Sequence, residues 1–216
     1  MDTSIGLLER LHWLGHASFR LDGPPTIYFD PWRLKRALPQ ADIVLISHEH
    51  PDHCSPQDVE RISGPETVVV ASPGAARKLR GDVRVLRPGE RVAVGQVEIE
   101  AVPAYNVSRF RSPGEPFHPQ KDEHTGFVVA VAGERIYFAG DTDHIPEMAN
   151  IRCDVALLPV GGTYTMDAEE AARAAAAIGP KAVVPMHWGA GVVGTRADAE
   201  RLRALYDGEV VVLKAE

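Results

Sequence analysis

The stretch "DIVLISHEHPDHCSP", residues 42–56, constrains the fold more than any other part of the chain. Its first half is a short apolar run rich in β-branched residues, the signature of a buried strand. Its second half sets His48, His50, Asp52 and His53 close together, just before Ser55-Pro56, an N-cap and first-turn pair that opens a helix. Any fold that holds this segment must bury the strand and end it at a cleft. Residues two apart at a strand end share a face, so His48 and His50 point to one side, with Asp52 and His53 in the turn that follows. Clustered imidazoles would harm a packed core and have no use in a solvated loop. The run asks for a metal ion, and imidazole with carboxylate suits zinc, with manganese, iron or nickel as less selective alternatives.

The rest of the 216-residue sequence supplies a scaffold of matching kind. Short apolar runs bounded by turn residues predict strands at "ERLHWLG", "SFRL", "TIYFD", "TVVVAS", "VRVL", "RVAV" and "VEIEAV". Later strands are expected in "TGFVVAVAGERIYFAGD", "DVALLPV", "KAVVPMHWG" and "EVVVL". Helices are predicted from Ser55, from Ser72, over "DAEEAARAAAAIG" and over "TRADAERLRALYDG". In the third of these, Asp167 and Glu170 read as a D-x-x-E cap, and Gly179-Pro180 ends the helix. Residues 106–124 carry three prolines and no periodicity, which predicts a long functional loop. Strands outnumber helices and no low-complexity linker divides the chain, so 1–216 is expected to form one α+β or layered α/β domain.

Three further segments join the histidine run. His48-x-His50-x-Asp52-His53, "YFAGDTD" around Asp141 and "VPMHWG" around His187 together resemble the metallo-β-lactamase superfamily. "LGHASF" and "YFDP" resemble its lactonase-like and phospholipase-like branch. The resemblance runs from about Leu11 to Gly189. It implies an αββα sandwich of two mixed sheets flanked by helices, with one or two zinc ions. It makes Asp141 the carboxylate that bridges two metals, and assigns His48 and His50 to the first and Asp52, His53 and His187 to the second.

In one place the chain departs from that pattern: where the family has a third histidine for the first metal, this sequence reads "PAYN", which puts Asn106 there. An amide oxygen is a weaker ligand than imidazole. His118, held between Phe117 and Pro119 at the return of the long loop, is therefore a candidate replacement ligand or substrate contact. His16 and His144 are candidates for catalytic or supporting roles, alongside Asp52, which would hold the attacking water in line. Asp30 is placed to orient a metal-bound histidine. His12 and Cys54 read as structural.

The implied chemistry is metal-assisted hydrolysis, in which a metal-bound water attacks a carbonyl or phosphoryl centre. An ester, lactone or phosphoester of a small acidic metabolite is the expected substrate. The alternatives are a non-catalytic metal-binding module, suggested by Asn106, and an iron-dependent redox enzyme on the same fold. A net charge of −7 without a basic cluster argues against nucleic acid as a partner. No apolar run approaches a membrane span, and "MDTSIGLLERLHW" lacks the pattern of a secretory leader, so a cytoplasmic location is expected. The two cysteines fit a reduced compartment as well as they fit one disulfide. Oligomeric state is not legible at this level.

Overall fold

The computed structural model describes residues 5–35 and 37–216. A single helical turn, α1 (Gly6–Arg10), leads into β1 (Leu11–Gly15), β2 (Ser18–Leu21), β3 (Ile27–Phe29) and β4 (Ile43–Ile46). Helix α2 (Pro56–Ile62), β5 (Val68–Ala71), the short α3 (Pro73–Ala76) and β6 (Val83–Val85) follow. These six strands form one sheet in chain order, antiparallel from β1 to β3 and parallel from β3 to β6. The second half adds β7 (Arg91–Val94), β8 (Val97–Pro103), a separate hairpin of β9 (Phe110–Ser112) and β10 (Glu115–Pro116), then β11 (Thr125–Val131) and β12 (Glu134–Phe138). It ends with β13 (Val155–Pro159), α4 (Ala168–Ile178), β14 (Ala182–Met186), α5 (Arg196–Leu205) and β15 (Glu209–Val210). The second sheet has the order β15-β14-β13-β12-β11-β8-β7 and is likewise mixed.

Period-two alternation builds the layers. Ile27, Phe29, Ile43, Leu45 and Val70 of the first sheet join the main core between the sheets, where Phe29 meets Phe138 with ring centroids 5.4 Å apart. Their neighbours Tyr28, Val44, Ile46, Val69 and Ala71 point the other way, onto Val59, Ile62 and Ala75 of α2 and α3. On the far side α4 lays Ala171, Ala174, Ala175 and Ile178 against the second sheet, at the spacing of one helical face. The expected αββα sandwich is the fold.

Three expectations need correction. Glu9 and Arg10 belong to α1 rather than to the first strand, because Leu7 buries its side chain and one turn is too short to show a period. The segment 106–124 is not loop throughout: it contains the β9–β10 hairpin and one 3-10 turn, Gln120–Asp122. In α4 the Asp167 carboxylate caps the Glu170 amide at 2.8 Å, but Glu170 does not reach back. Its carboxylate serves Arg109 and the His144 amide instead.

Candidate metal centre

The strand ends of both sheets converge on one edge of the sandwich. His48, His50, Asp52 and His53 follow β4, Asp141 follows β12, His187 follows β14, and His118 arrives from the return limb of the β9–β10 hairpin. Asp141 stands in the middle. Its Oδ2 lies 3.2 Å from His187 Nε2, 3.3 Å from His118 Nε2 and 3.9 Å from His48 Nε2, while Oδ1 lies 3.2 Å from His53 Nε2. On one side of it are His48, His50 and His118, on the other His16, Asp52, His53 and His187, each set with ligand atoms within 4.8 Å of one another. Asp52 Oδ2 is 3.7 Å from His53 Nε2 and 3.1 Å from His16 Nε2. Asp30, His48 and His53 form a third such group, but the Asp30 carboxylate is already committed to hydrogen bonds.

Those hydrogen bonds explain how the ligands are aimed. Asp30 Oδ2 is 2.7 Å from His53 Nδ1, and the same carboxylate accepts from the Ser47 amide and hydroxyl at 2.7 and 2.5 Å. The far nitrogen of His53 is thereby turned towards Asp141. The His16 carbonyl accepts from the Trp13 indole at 2.9 Å and from the His187 amide at 3.0 Å, which ties the β1–β2 turn to the end of β14. His16, Asp30 and His187 all have positive φ (53°, 41° and 61°), a conformation that costs non-glycine residues energy and clusters at functional sites. Gly161 is required beside them: a Cβ there would sit 2.9 Å from His187 Nδ1 and 2.8 Å from its carbonyl oxygen.

Asn106 is not held as a ligand. Its Oδ1 accepts from the His118 amide at 2.8 Å and lies 2.9 Å from His118 Nδ1. Its own amide nitrogen donates to Asp143 and to the Tyr164 carbonyl. Asn106 therefore positions His118, which occupies the place the sequence reading gave to Asn106, and His118 turns Nε2 inward, 3.2 Å from His50 Nδ1. Asp143 anchors the arrangement by accepting from the Val107 and Ser108 amides, the Ser108 hydroxyl and Arg109. Neither Asp143 nor its hold on Val107, Ser108 and Arg109 was read from the sequence, although the second aspartate of "GDTD" was the available signal. His144 lies outside the ligand groups. His124 is buried against the His48 ring, 5.0 Å between centroids, and pairs with Glu49 at 3.2 Å, a neighbour that the sequence reading did not assign.

Charge follows from this packing. Burial alone would push the Asp141 carboxyl up, but His187, His53 and His118 around it hold it well below the usual carboxylate range. Asp52 behaves alike: burial opposes ionisation, and His16 and His53 overcome it. Burial pushes His16 and His50 down to about 4, so both are neutral, as ligands must be. Pairing with His124 draws Glu49 down to about 2.

The donor set fits a metal on an internal observation. Asp141 Oδ1, His53 Nε2 and His187 Nε2 are buried and lack a hydrogen bond, although they face one another at short range. Buried polar atoms are otherwise almost always paired, and lone pairs that converge without alignment are what a shared cation requires. Fold and site together define a class: two mixed sheets, helices outside, and a histidine–aspartate cluster at the strand ends.

A family model, Beta-lactamase superfamily domain, matches residues 10–187. The chain is 38% identical over 185 residues to a UPF0173 metal-dependent hydrolase of Methanoculleus marisnigri, covering 83% of this chain and 80% of that one. Its structure is similar to the crystal structure of a metal-dependent hydrolase from Parabacteroides distasonis, with a TM-score of 0.83, 33% identity, and 95% and 93% of the two chains covered. At 20% identity and a TM-score of 0.70, CmlA, a diiron β-hydroxylase from Streptomyces venezuelae, shares the fold over 94% of this chain and 52% of its own. The chain belongs to the metallo-β-lactamase superfamily and, within it, to the UPF0173 metal-dependent hydrolase family.

Proposed function

We propose that this protein hydrolyses an ester, lactone or phosphoester bond of a small molecule at a two-metal centre, with zinc the metal its ligands suit best. The observation that carries the reading is Asp141, whose two oxygens face imidazoles on both sides at 3.2–3.9 Å. His48, His50 and His118 would hold one ion, His53, His187 and Asp52 the other, with Asp141 shared. The chemistry such ions would supply is a water acidic enough to ionise near neutral pH and polarisation of the scissile bond. Asp52, partly exposed to the cleft and fixed by His16, would orient that water and accept its proton. His16 is itself neutral and keeps Asp52 anionic by hydrogen bonding. The carboxylate would then return the proton to the leaving oxygen, so that one C–O or P–O bond breaks as another forms. A non-catalytic metal module had its basis in Asn106 as a poor ligand, and the Asn106–His118 pairing removes that basis.

The test is elemental analysis of protein purified without added metal, then esterase, lactonase and phosphodiesterase substrates assayed with loaded protein. About two equivalents of metal and turnover on one class are expected. Loaded protein inactive on all three classes would overturn the reading.

A further inference from the structure

We propose that the substrate carries an anionic group, a carboxylate or phosphate, on an apolar body, and that Arg111 binds that group. The inference rests on the hydrolase reading and deepens it. A cleft of about 430 Å³ opens over the centre, between His50, Asp52, His118 and Asp141 on its floor and Trp32, Pro51, Phe117, Tyr164 and Val192 on its walls. The walls are thus mostly ring and aliphatic carbon, suited to an aryl or acyl body. Phe117 is braced edge-on by Tyr164 at 4.8 Å, and the hydrogen bonds of Asn106 to His118 and to the Tyr164 carbonyl hold this wall in register with the ligands.

One cation lines this cleft, Arg111, from the middle of β9. Its charge is unspent. Among the described residues its recorded contact is the Phe117 ring, 5.8 Å from the guanidinium carbon, a distance at which the ring keeps the fork in place without neutralising it. Nearby arginines are otherwise engaged: Arg109 is bound by Asp143, Asp167 and Glu170, and Arg33 lies over Trp32 at 4.1 Å and donates to the Ala190 carbonyl. Arg111 also borders a second, polar chamber of about 590 Å³ with Glu49, Lys121, Asp122 and His124, and His50 lines both. It therefore stands at the partition between the two chambers, beside a metal-ligand histidine. A planar guanidinium free to form two parallel hydrogen bonds there is built for a carboxylate or phosphate. In a chain of net charge −7, the pairing also selects against neutral esters that would otherwise fit the apolar walls.

The experiment is calorimetric binding to the zinc-loaded protein of alkyl hydroxamates, which seize the metal end, bearing a distal carboxylate, phosphonate or neutral methyl ester. An anionic tail should tighten binding at least about tenfold over the ester on the wild type. Arg111→Met should bring all three tails within about twofold at unchanged metal content, and Arg111→Lys should keep part of the preference. Whichever anionic tail binds best identifies the source of the charge. Equal binding of all tails to the wild type, or a preference that persists in Arg111→Met, overturns the proposal and leaves the hydrolase reading intact. If no hydroxamate binds the loaded protein, this proposal fails, while turnover on the three substrate classes decides the hydrolase reading separately.

Discussion

Asn106 decides how the third histidine is presented. It accepts from both the amide and Nδ1 of His118, so it fixes one tautomer and frees Nε2 to face Asp141. Asn106→Leu should lower affinity at that position by about 10–100-fold, the usual effect of losing a partner that orients a ligand. Asn106→Asp keeps the acceptor but turns a carboxylate oxygen onto Asp143 and the Tyr164 carbonyl, so it should lower affinity as well, and chelator competition measures both. Asp141→Ala should strip both ions, because the shared carboxylate is lost. Asp52→Ala should loosen the second ion and, in metal-saturated protein, reduce kcat by about 10²–10⁴-fold with the fold kept, the usual weight of a positioned proton acceptor. Full activity in Asp52→Ala would remove that residue from the mechanism, and circular dichroism of each variant separates lost chemistry from lost structure.

At the level of elements, the histidine run, the Asp141 and His187 strand ends and the Asp167 half of the α4 cap were legible, because each sits where a periodic apolar run meets an abrupt polar stop. The hairpin β9–β10 was not. Its strands are three and two residues long, too short to show alternation, and two of its prolines read as breakers. His118 was legible as a candidate only through its confinement between Phe117 and Pro119. That Asn106 holds His118 was not legible, because the two side chains meet only when the chain returns after the β9–β10 hairpin. Helix α4 offers a clean energetic test. Gly179 ends it at φ 67° with nothing within 4 Å of where a Cβ would sit, so an added methyl meets strain and no clash. Gly179→Ala should cost about 1–2 kcal/mol, a fall of roughly 2–8 °C in melting temperature for a chain of this size. An unchanged Tm would show that the backbone relaxes there.

For the whole molecule, period-two burial made two packed sheets readable, but which strands neighbour which was set by tertiary pairing. The order β12-β11-β8 skips the hairpin and no local signal announces it. The described cysteines are free, Cys54 within the outer core of the first sheet and Cys153 against the main core, so the disulfide alternative is set aside. Burial, helped by Asp154, pushes the Cys153 thiol up to about 12. The unfolded chain then ionises first as pH rises past about 8.5, so this group withdraws stability between there and about 12. Native protein at pH 8 should accordingly resist iodoacetamide at Cys153, while denatured protein reacts readily. Prompt labelling of the native form, read by mass spectrometry, would contradict the burial. No helix among the described residues is long and apolar enough to cross a membrane.

The positions of the ligands along the chain also set an order of events during synthesis. His48, His50 and His53 are made early, His118 and Asp141 past the midpoint, and His187 only with β14, in the last strand pair to join the second sheet. A growing chain can hold no complete second position until β14 has docked beside β13 and the His16 carbonyl has received the His187 amide. On the two-metal reading, full occupancy would therefore certify finished folding: a ribosome-tethered chain that stops before β14 should carry at most one ion, however much metal surrounds it.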